Sequence, residues 1–320
     1  MEISKIIILI IGILLIVIPV HIMIVGYISY NIIFKRGKKV DFYKVINDKY
    51  FAKYKEELIK NYKWYSSLEK EEIALYNKEG ILLKGYLTKN KNNINNVIVI
   101  YSHGWHSEGF SDIGRMGASL LYREGYDILV IDHEAHGKSL GSYTTFGIRD
   151  SDNIEQWIDK INELYNNNCK IILTGMSMGA NAILLLANKN MKNVKMIIAD
   201  CGFTSVYEEM KYSFVYRLKL GYIRFLEFYL FCLLNTNINI LEKDARIALK
   251  RSKYPILLIH GRCDKVVPVS MTKENYYACS TKKELLIVDN ADHALSSVEN
   301  KDEYEYRVIR FINENLKGDS

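Results

Sequence analysis

Several features are scarce in this 320-residue chain, and each scarcity excludes something. The five cysteines, Cys169, Cys201, Cys232, Cys263 and Cys279, are odd in number, scattered, and never spaced C-x-x-C. That argues against a disulfide framework and against a zinc ribbon. Charge of one sign is also scarce. The excess is 43 − 37 = +6, and Lys35, Arg36, Lys38 and Lys39 alone account for four of it. No dedicated nucleic-acid surface is expected, and the other lysines read as solvated faces. The 3 prolines, beside abundant Ile, Lys, Asn and Tyr, carry no functional information. No internal repeat or low-complexity linker is visible. What is present is enough apolar sequence, 49% of residues, to bury a full core.

The longest apolar run opens the chain. Seventeen of the 23 residues in 6–28 are Ile, Leu or Val. A helix of that length reaches about 35 Å, enough to cross a hydrocarbon layer of about 30 Å. Its insertion is favourable by roughly 5–10 kcal/mol, of which Pro19, His21 and Ser29 take back a part. The alternative, a cleaved signal peptide, fits less well. The leading residues are barely positive, the run is too long, and no small-x-small cleavage site follows. Residues 1–34 therefore read as a single-pass transmembrane anchor. The basic cluster at 35–39 lies after the span, which by the positive-inside rule places the bulk of the chain in the cytoplasm.

Residues 35–68 read as a connecting helical segment and 69–320 as the main domain. Alternation at 72–76 and 81–88, around Lys78-Glu79-Gly80, predicts an antiparallel hairpin. Short apolar runs follow at 97–101, 128–131, 171–174, 196–199, 256–260 and 285–288, as buried parallel strands require. Helical patterns fall between them at 112–124, 150–165, 178–188, 270–278 and 302–316. The alternation predicts an α/β fold: a mostly parallel sheet with helices on both faces. Residues 203–253 interrupt it with a run rich in Phe, Tyr and Leu, broken by Arg224 and Glu227 and too short to cross a bilayer. This reads as a helical cap whose apolar side can wall a substrate.

Gly175-Met176-Ser177-Met178-Gly179 stands between a predicted strand and a predicted helix. A serine there sits on a sharp turn, and the small flanking residues let the backbone pass. Its hydroxyl is a poor nucleophile and needs an adjacent base. His293 follows the last strand, where such a base returns to the sheet's carboxyl edge. The base in turn needs a carboxylate to hold its tautomer. Asp264, after the preceding strand, is the first candidate; Asp200 and Asp292 are the alternatives. Two N–H donors must face a developing oxyanion. The backbones of Met178 and of Trp105, in His103-Gly104-Trp105, are placed to supply them, with Gly104 allowing close approach. His103 reads as a structural hydrogen-bonding residue. The Trp105 ring and Phe203 are candidate substrate contacts.

These segments, together with Asp132-His133-Glu134-Ala135-His136-Gly137-Lys138-Ser139, Asp200-Cys201-Gly202-Phe203-Thr204-Ser205 and Ala291-Asp292-His293, resemble the α/β-hydrolase superfamily. Similarity is greatest to its bacterial branch of serine aminopeptidase-like and thioesterase-like hydrolases, over about residues 70–316. The order serine, acid, histidine is the one this fold uses. The resemblance implies Ser177, Asp264 and His293 as a triad, an acyl-enzyme route and no cofactor. It departs from the family at His133-Glu134-Ala135, where an Arg-Gly pair is usual. The resulting expectation is a membrane-anchored serine hydrolase acting on a small-molecule or lipid-like acyl substrate, an ester or thioester. An amide-cleaving peptidase and a catalytically silent binding module are the rival readings.

Other chemistries fit poorly. The pairs His103/His106 and His133/His136 lack a carboxylate at helical spacing, so no metal is expected. Gly137-Lys138-Ser139 lacks the glycine that a phosphate loop carries five positions earlier, where Asp132 stands.

Overall fold

The computed structural model describes residues 3–39 and 41–316. Eight strands form one sheet: β1 Glu71–Tyr76, β2 Leu82–Thr88, β3 Val97–Ser102, β4 Asp127–Asp132, β5 Lys170–Met176, β6 Val194–Asp200, β7 Ile256–Gly261 and β8 Lys283–Val288. Their spatial order is β1-β2-β4-β3-β5-β6-β7-β8. β1 and β2 make the expected hairpin, and β2 joins β4 antiparallel. Every later pairing is parallel. The hairpin turn closes on Asn77, whose Oδ1 accepts from the amides of Glu79 and Ile81, while Gly80 takes φ +75°.

Both faces of the sheet are covered because its central strands are apolar on both sides. One face packs on the helix Ile148–Leu164, whose Ile154, Trp157, Ile158 and Ile161 recur at helical spacing, and on Met178–Leu184. The other packs on Lys55–Ser67 and on Lys301–Leu316, through Tyr65, Tyr304, Val308 and Phe311. Residues 41–68 form three short helices, Phe42–Ile46, Lys49–Tyr54 and Lys55–Ser67. The first two are capped by the side chains of Asp41 and Asp48.

Two expected helices come out shorter. The stretch 112–124 is broken into Gly109–Asp112, a 3-10 turn at Ile113–Arg115, and Ala118–Arg123. The break is at Gly117, at φ +66°, where an added Cβ would lie 2.9 Å from the Tyr304 ring. The helix expected over 178–188 ends at Leu184 and continues as turns.

The insertion after β6 contains the helices Val206–Tyr212, Tyr222–Asn235 and Ala245–Leu249, with a π-turn at Ser213–Arg217. Its core joins Phe203, Phe214, Phe225, Phe228 and Cys232. The N-terminal helix Ile3–Phe34 is long and apolar enough to cross a membrane. Its last turns also pack against the cap. Phe34 is fully buried and stacks on Phe228. Gly26 meets Phe231 so closely that an added Cβ would fall 2.2 Å from the Phe231 Cβ. Just past the helix, the Arg36 guanidinium donates to the carbonyls of Gly137 and Ser139, both at 2.6 Å.

Candidate active site

The parallel register brings several strand ends to one edge: Ser102 lies beside Gly175, Met176 beside Asp200, and Gly261 beside Val288. Side chains just past β5, β7 and β8 therefore meet there, although they are far apart in sequence.

Ser177 occupies φ +55°, ψ −116°, a conformation that L-residues rarely adopt, at the point where β5 turns into the helix Met178–Leu184. The turn is held by Ser177 N–H donating to the Asp200 carbonyl at 2.9 Å. It is also sterically closed. A Cβ on Gly175 would lie 2.6 Å from the Gly179 backbone, and one on Gly179 only 2.1 Å from the Ser102 carbonyl oxygen. By contrast, a Cβ on Gly104 would meet its nearest atom at 3.5 Å, an ordinary contact. The close approach expected at Gly104 is thus made at Gly175 and Gly179 instead.

His293 Nε2 lies 3.0 Å from Ser177 Oγ, and His293 Nδ1 lies 2.7 Å from Asp264 Oδ2. The Asp264 side chain is buried, and its Oδ1 accepts from the amides of Val266 at 2.8 Å and Val267 at 2.9 Å. His260 Nε2 is 3.1 Å from the other carboxylate oxygen. Burial by itself would raise the Asp264 pKa. The His293 imidazole, aided by His260, outweighs that and holds the carboxyl well below the usual carboxylate range. The two alternative acids are engaged elsewhere. Asp200 accepts from the Ser296 hydroxyl and is pushed up to about 6 by burial. Asp292 Oδ1 accepts from the backbones of Lys265 and His293.

Met178 follows Ser177 as the first helical residue, so its amide belongs to the turn whose N–H groups have no intrahelical acceptor. The Trp105 loop is braced from two sides. Gly104 N–H donates to Asp112 Oδ2 at 3.1 Å, and Asp112 is paired with Arg115. The Trp105 ring stacks on His106, and its Nε1–H donates to the Ile33 carbonyl at 2.8 Å. His103 is buried. Its Nδ1 lies 2.7 Å from the Gly104 carbonyl, and its Nε2 accepts from the His133 amide at 3.0 Å. His103, His133 and His136 cluster behind the loop, each pushed down to about 3, first by burial and then by a neighbouring imidazole.

A cavity of about 360 Å³ opens onto Ser177 and His293. Trp105, Phe146, Phe203 and Phe214 wall it, with Ile32 and Ile33 from the N-terminal helix. It also holds Glu209, buried and pushed up to about 8 by burial against the pull of Arg217. Ligand atoms of Cys201, Asp264 and His293 lie within 4.8 Å of one another. Cys201 is fully buried, and burial pushes its thiol well above the ordinary range.

Sequence reasoning did not find Asp112, Arg115, Glu209, Ile32 or Ile33 at this site. Only Asp112 left a trace, as an acid shortly after the Trp105 loop.

Two family models each match more than half of the chain: X-Pro dipeptidyl-peptidase (S15 family) over residues 51–219, and the prolyl oligopeptidase family over residues 143–319. Among curated proteins, the uncharacterized protein YqkD of Bacillus subtilis is 27% identical over 256 residues, which is 78% of this chain and 81% of that one. Among solved structures, the Pyrococcus furiosus esterase Pf2001 superposes with a TM-score of 0.63 at 24% identity, covering 78% of this chain and 92% of the esterase. The Pyrococcus horikoshii acylaminoacyl peptidase superposes at 0.60 with 17% identity, covering 81% of this chain and 44% of the peptidase. The structural likenesses show the fold alone.

Proposed function

The chain belongs to the α/β-hydrolase superfamily, and from that premise we propose that it is a membrane-anchored serine hydrolase cleaving an acyl ester or thioester. The observation that carries this reading is the unbroken series of hydrogen bonds Asp264–His293–Ser177 beneath a cavity. Ser177 Oγ attacks the acyl carbonyl while His293 Nε2 takes its proton. Asp264 holds the Nδ1–H tautomer and stabilises the imidazolium. The amides of Met178 and Trp105 receive the oxyanion. His293 then protonates the leaving alcohol or thiol, and water, activated by the same imidazole, releases the acyl group and restores Ser177. Trp105 and Phe203 contact the substrate's apolar part. No step calls for a cofactor.

In this reading residues 1–34 are the anchor, 35–68 the connecting segment and 69–320 the hydrolase domain, with its cap at about 203–253. The basic cluster at 35–39 puts that domain on the cytoplasmic side. A second reading, amide cleavage, is favoured by the two matching families, both peptidases by name.

A fluorophosphonate probe tests the mechanism. The full chain should be labelled and its Ser177→Ala variant should not. Absence of label on both would instead fit a silent binding module. Comparing a p-nitrophenyl ester with an aminoacyl anilide separates the two readings, and faster anilide cleavage would overturn the ester assignment.

A further inference from the structure

The helix Tyr222–Asn235 has three distinct faces. Phe225, Phe228 and Cys232 point into the cap core. Glu227 and Phe231 hold the N-terminal helix at His21, Gly26, Tyr27 and Tyr30. The third face is apolar and uncovered. Ile223, Leu226, Leu233 and Leu234 are all exposed, Ile223 by 71% and Leu234 by 73%. At 3.6 residues per turn these four fall in one arc of about 100°, directly beside the face that holds the N-terminal helix. Leu218 and Leu220, in the loop before this helix, extend the exposed apolar surface.

The depth of this surface is set by the span. About 20 residues cross a hydrocarbon layer, so the apolar run that begins at Ile6 reaches the boundary near Gly26, which packs on Phe231. More than one turn deeper, His21 Nε2 lies 2.7 Å from the Arg224 guanidinium and 3.1 Å from Glu227 Oε1, so the polar groups on this side of the helix are paired with one another. The helix that carries the uncovered arc runs beside residues 21–30 of the N-terminal helix, from His21 at Glu227 to Tyr30 at Phe231, and so straddles that boundary. The N-terminal helix then runs on, and Ile32 and Ile33 become a wall of the catalytic cavity, which Leu218 also lines. Ile32 and Leu218 are both exposed and part of the cavity lining, so the cavity opens where the N-terminal helix meets the cap.

We propose that the uncovered face of Tyr222–Asn235 is a membrane-docking surface, seated in the boundary of the same bilayer that the N-terminal helix crosses. Through it a membrane-resident acyl ester reaches Ser177 past Leu218, Ile32 and Ile33 without crossing water. This rests on the anchor and hydrolase readings above and adds to them a substrate class and its route of entry.

The test uses the full chain in phosphatidylcholine nanodiscs with brominated acyl chains, which quench tryptophan on contact. Ile10→Trp reports the span, and Ile223→Trp and Leu234→Trp report the cap. Wild-type emission from Trp64, Trp105 and Trp157 serves as baseline. The emission added at 223 and 234 should fall by at least about half, as expected for side chains seated 5–10 Å into the headgroup and acyl boundary. Quenching at 10 but not at 223 or 234 overturns docking and leaves the span intact. No quenching at any position overturns the anchor reading as well.

The route is tested by kinetics. The double variant Ile223→Glu, Leu234→Glu should lose about tenfold against a long-chain monoacylglycerol in vesicles while keeping its rate on p-nitrophenyl acetate. No loss on either substrate, or equal loss on both, overturns the route. A wild type inactive on both overturns the hydrolase reading itself.

Discussion

Gly179→Ala is the sharpest single probe of the elbow. The added methyl would stand 2.1 Å from the Ser102 carbonyl oxygen, 2.4 Å from its carbon and 2.5 Å from the His103 oxygen. All three are backbone atoms at the buried end of β3, so no side chain can swing away. Restoring an ordinary contact requires β3 and the elbow to part by about 1 Å in an interior packed to crystal density. Strain of this kind costs roughly 1–3 kcal/mol. The consequence for chemistry is larger, because the two segments carry the two proposed oxyanion donors, Trp105 on one and Met178 on the other. A misplacement of about 1 Å lowers turnover on the order of 100-fold. The comparison variant is Gly104→Ala, where the new methyl meets nothing nearer than 3.5 Å. Turnover of p-nitrophenyl acetate and the midpoint of thermal unfolding, measured for both, decide the matter. Gly179→Ala should be folded, modestly destabilised and at least tenfold slower than Gly104→Ala. Equal turnover in the two variants would refute the claim that the close packing of elbow against β3 sets the oxyanion geometry.

Three further outcomes are expected. His103 is held near 3 in the fold, against about 6.5 for an unperturbed imidazole. As pH falls through that window the unfolded chain takes up the proton first, so this residue costs stability below about pH 6.5, and increasingly so down to about 3. Thermal melts should therefore show His103→Asn gaining on the wild type by roughly 2 kcal/mol between pH 7.5 and pH 5, and a constant gap would mean the imidazole is not kept neutral. Asp112→Ala removes the acceptor for Gly104 N–H and strands Arg115. Its kcat should fall about tenfold or more with KM little changed, because the loop carries a proposed oxyanion donor; a change confined to KM would contradict that role. Trp105→Phe cuts the hydrogen bond to the Ile33 carbonyl. It should weaken discrimination between long and short acyl chains more than it slows the short ones, and an unchanged chain-length profile would speak against the helix as a cavity wall.

The sheet was largely readable from local pattern, because a strand buried on both faces must be apolar throughout. Strands β3 to β8 extend the apolar runs by no more than two residues at either end. The hairpin announced itself by alternation, which only a half-buried pair requires. The candidates Ser177, Asp264 and His293 were legible because each lies just past the end of a strand, and parallel strands all end at the same edge of the sheet. The first helix was legible by length and hydropathy. Those signals are all written in neighbouring residues.

The remainder depends on contacts between segments that share no period. Gly117 breaks its helix at φ +66°, and the Tyr304 ring, far along the chain, leaves no room there for a Cβ. Position past a strand favoured Asp264, but the exclusion of Asp200 and Asp292 comes from the fold, where Asp200 accepts from Ser296 and Asp292 from the Lys265 and His293 amides while Asp264 meets His293. Ile33 meets Trp105, and His21 meets Glu227, across more than seventy and two hundred residues. An apolar helix is compatible with lipid and with protein alike, so its composition announces a span but cannot say that its last turns form the wall of a cavity. That depends on the shape of the cap it meets, and the fold creates that shape.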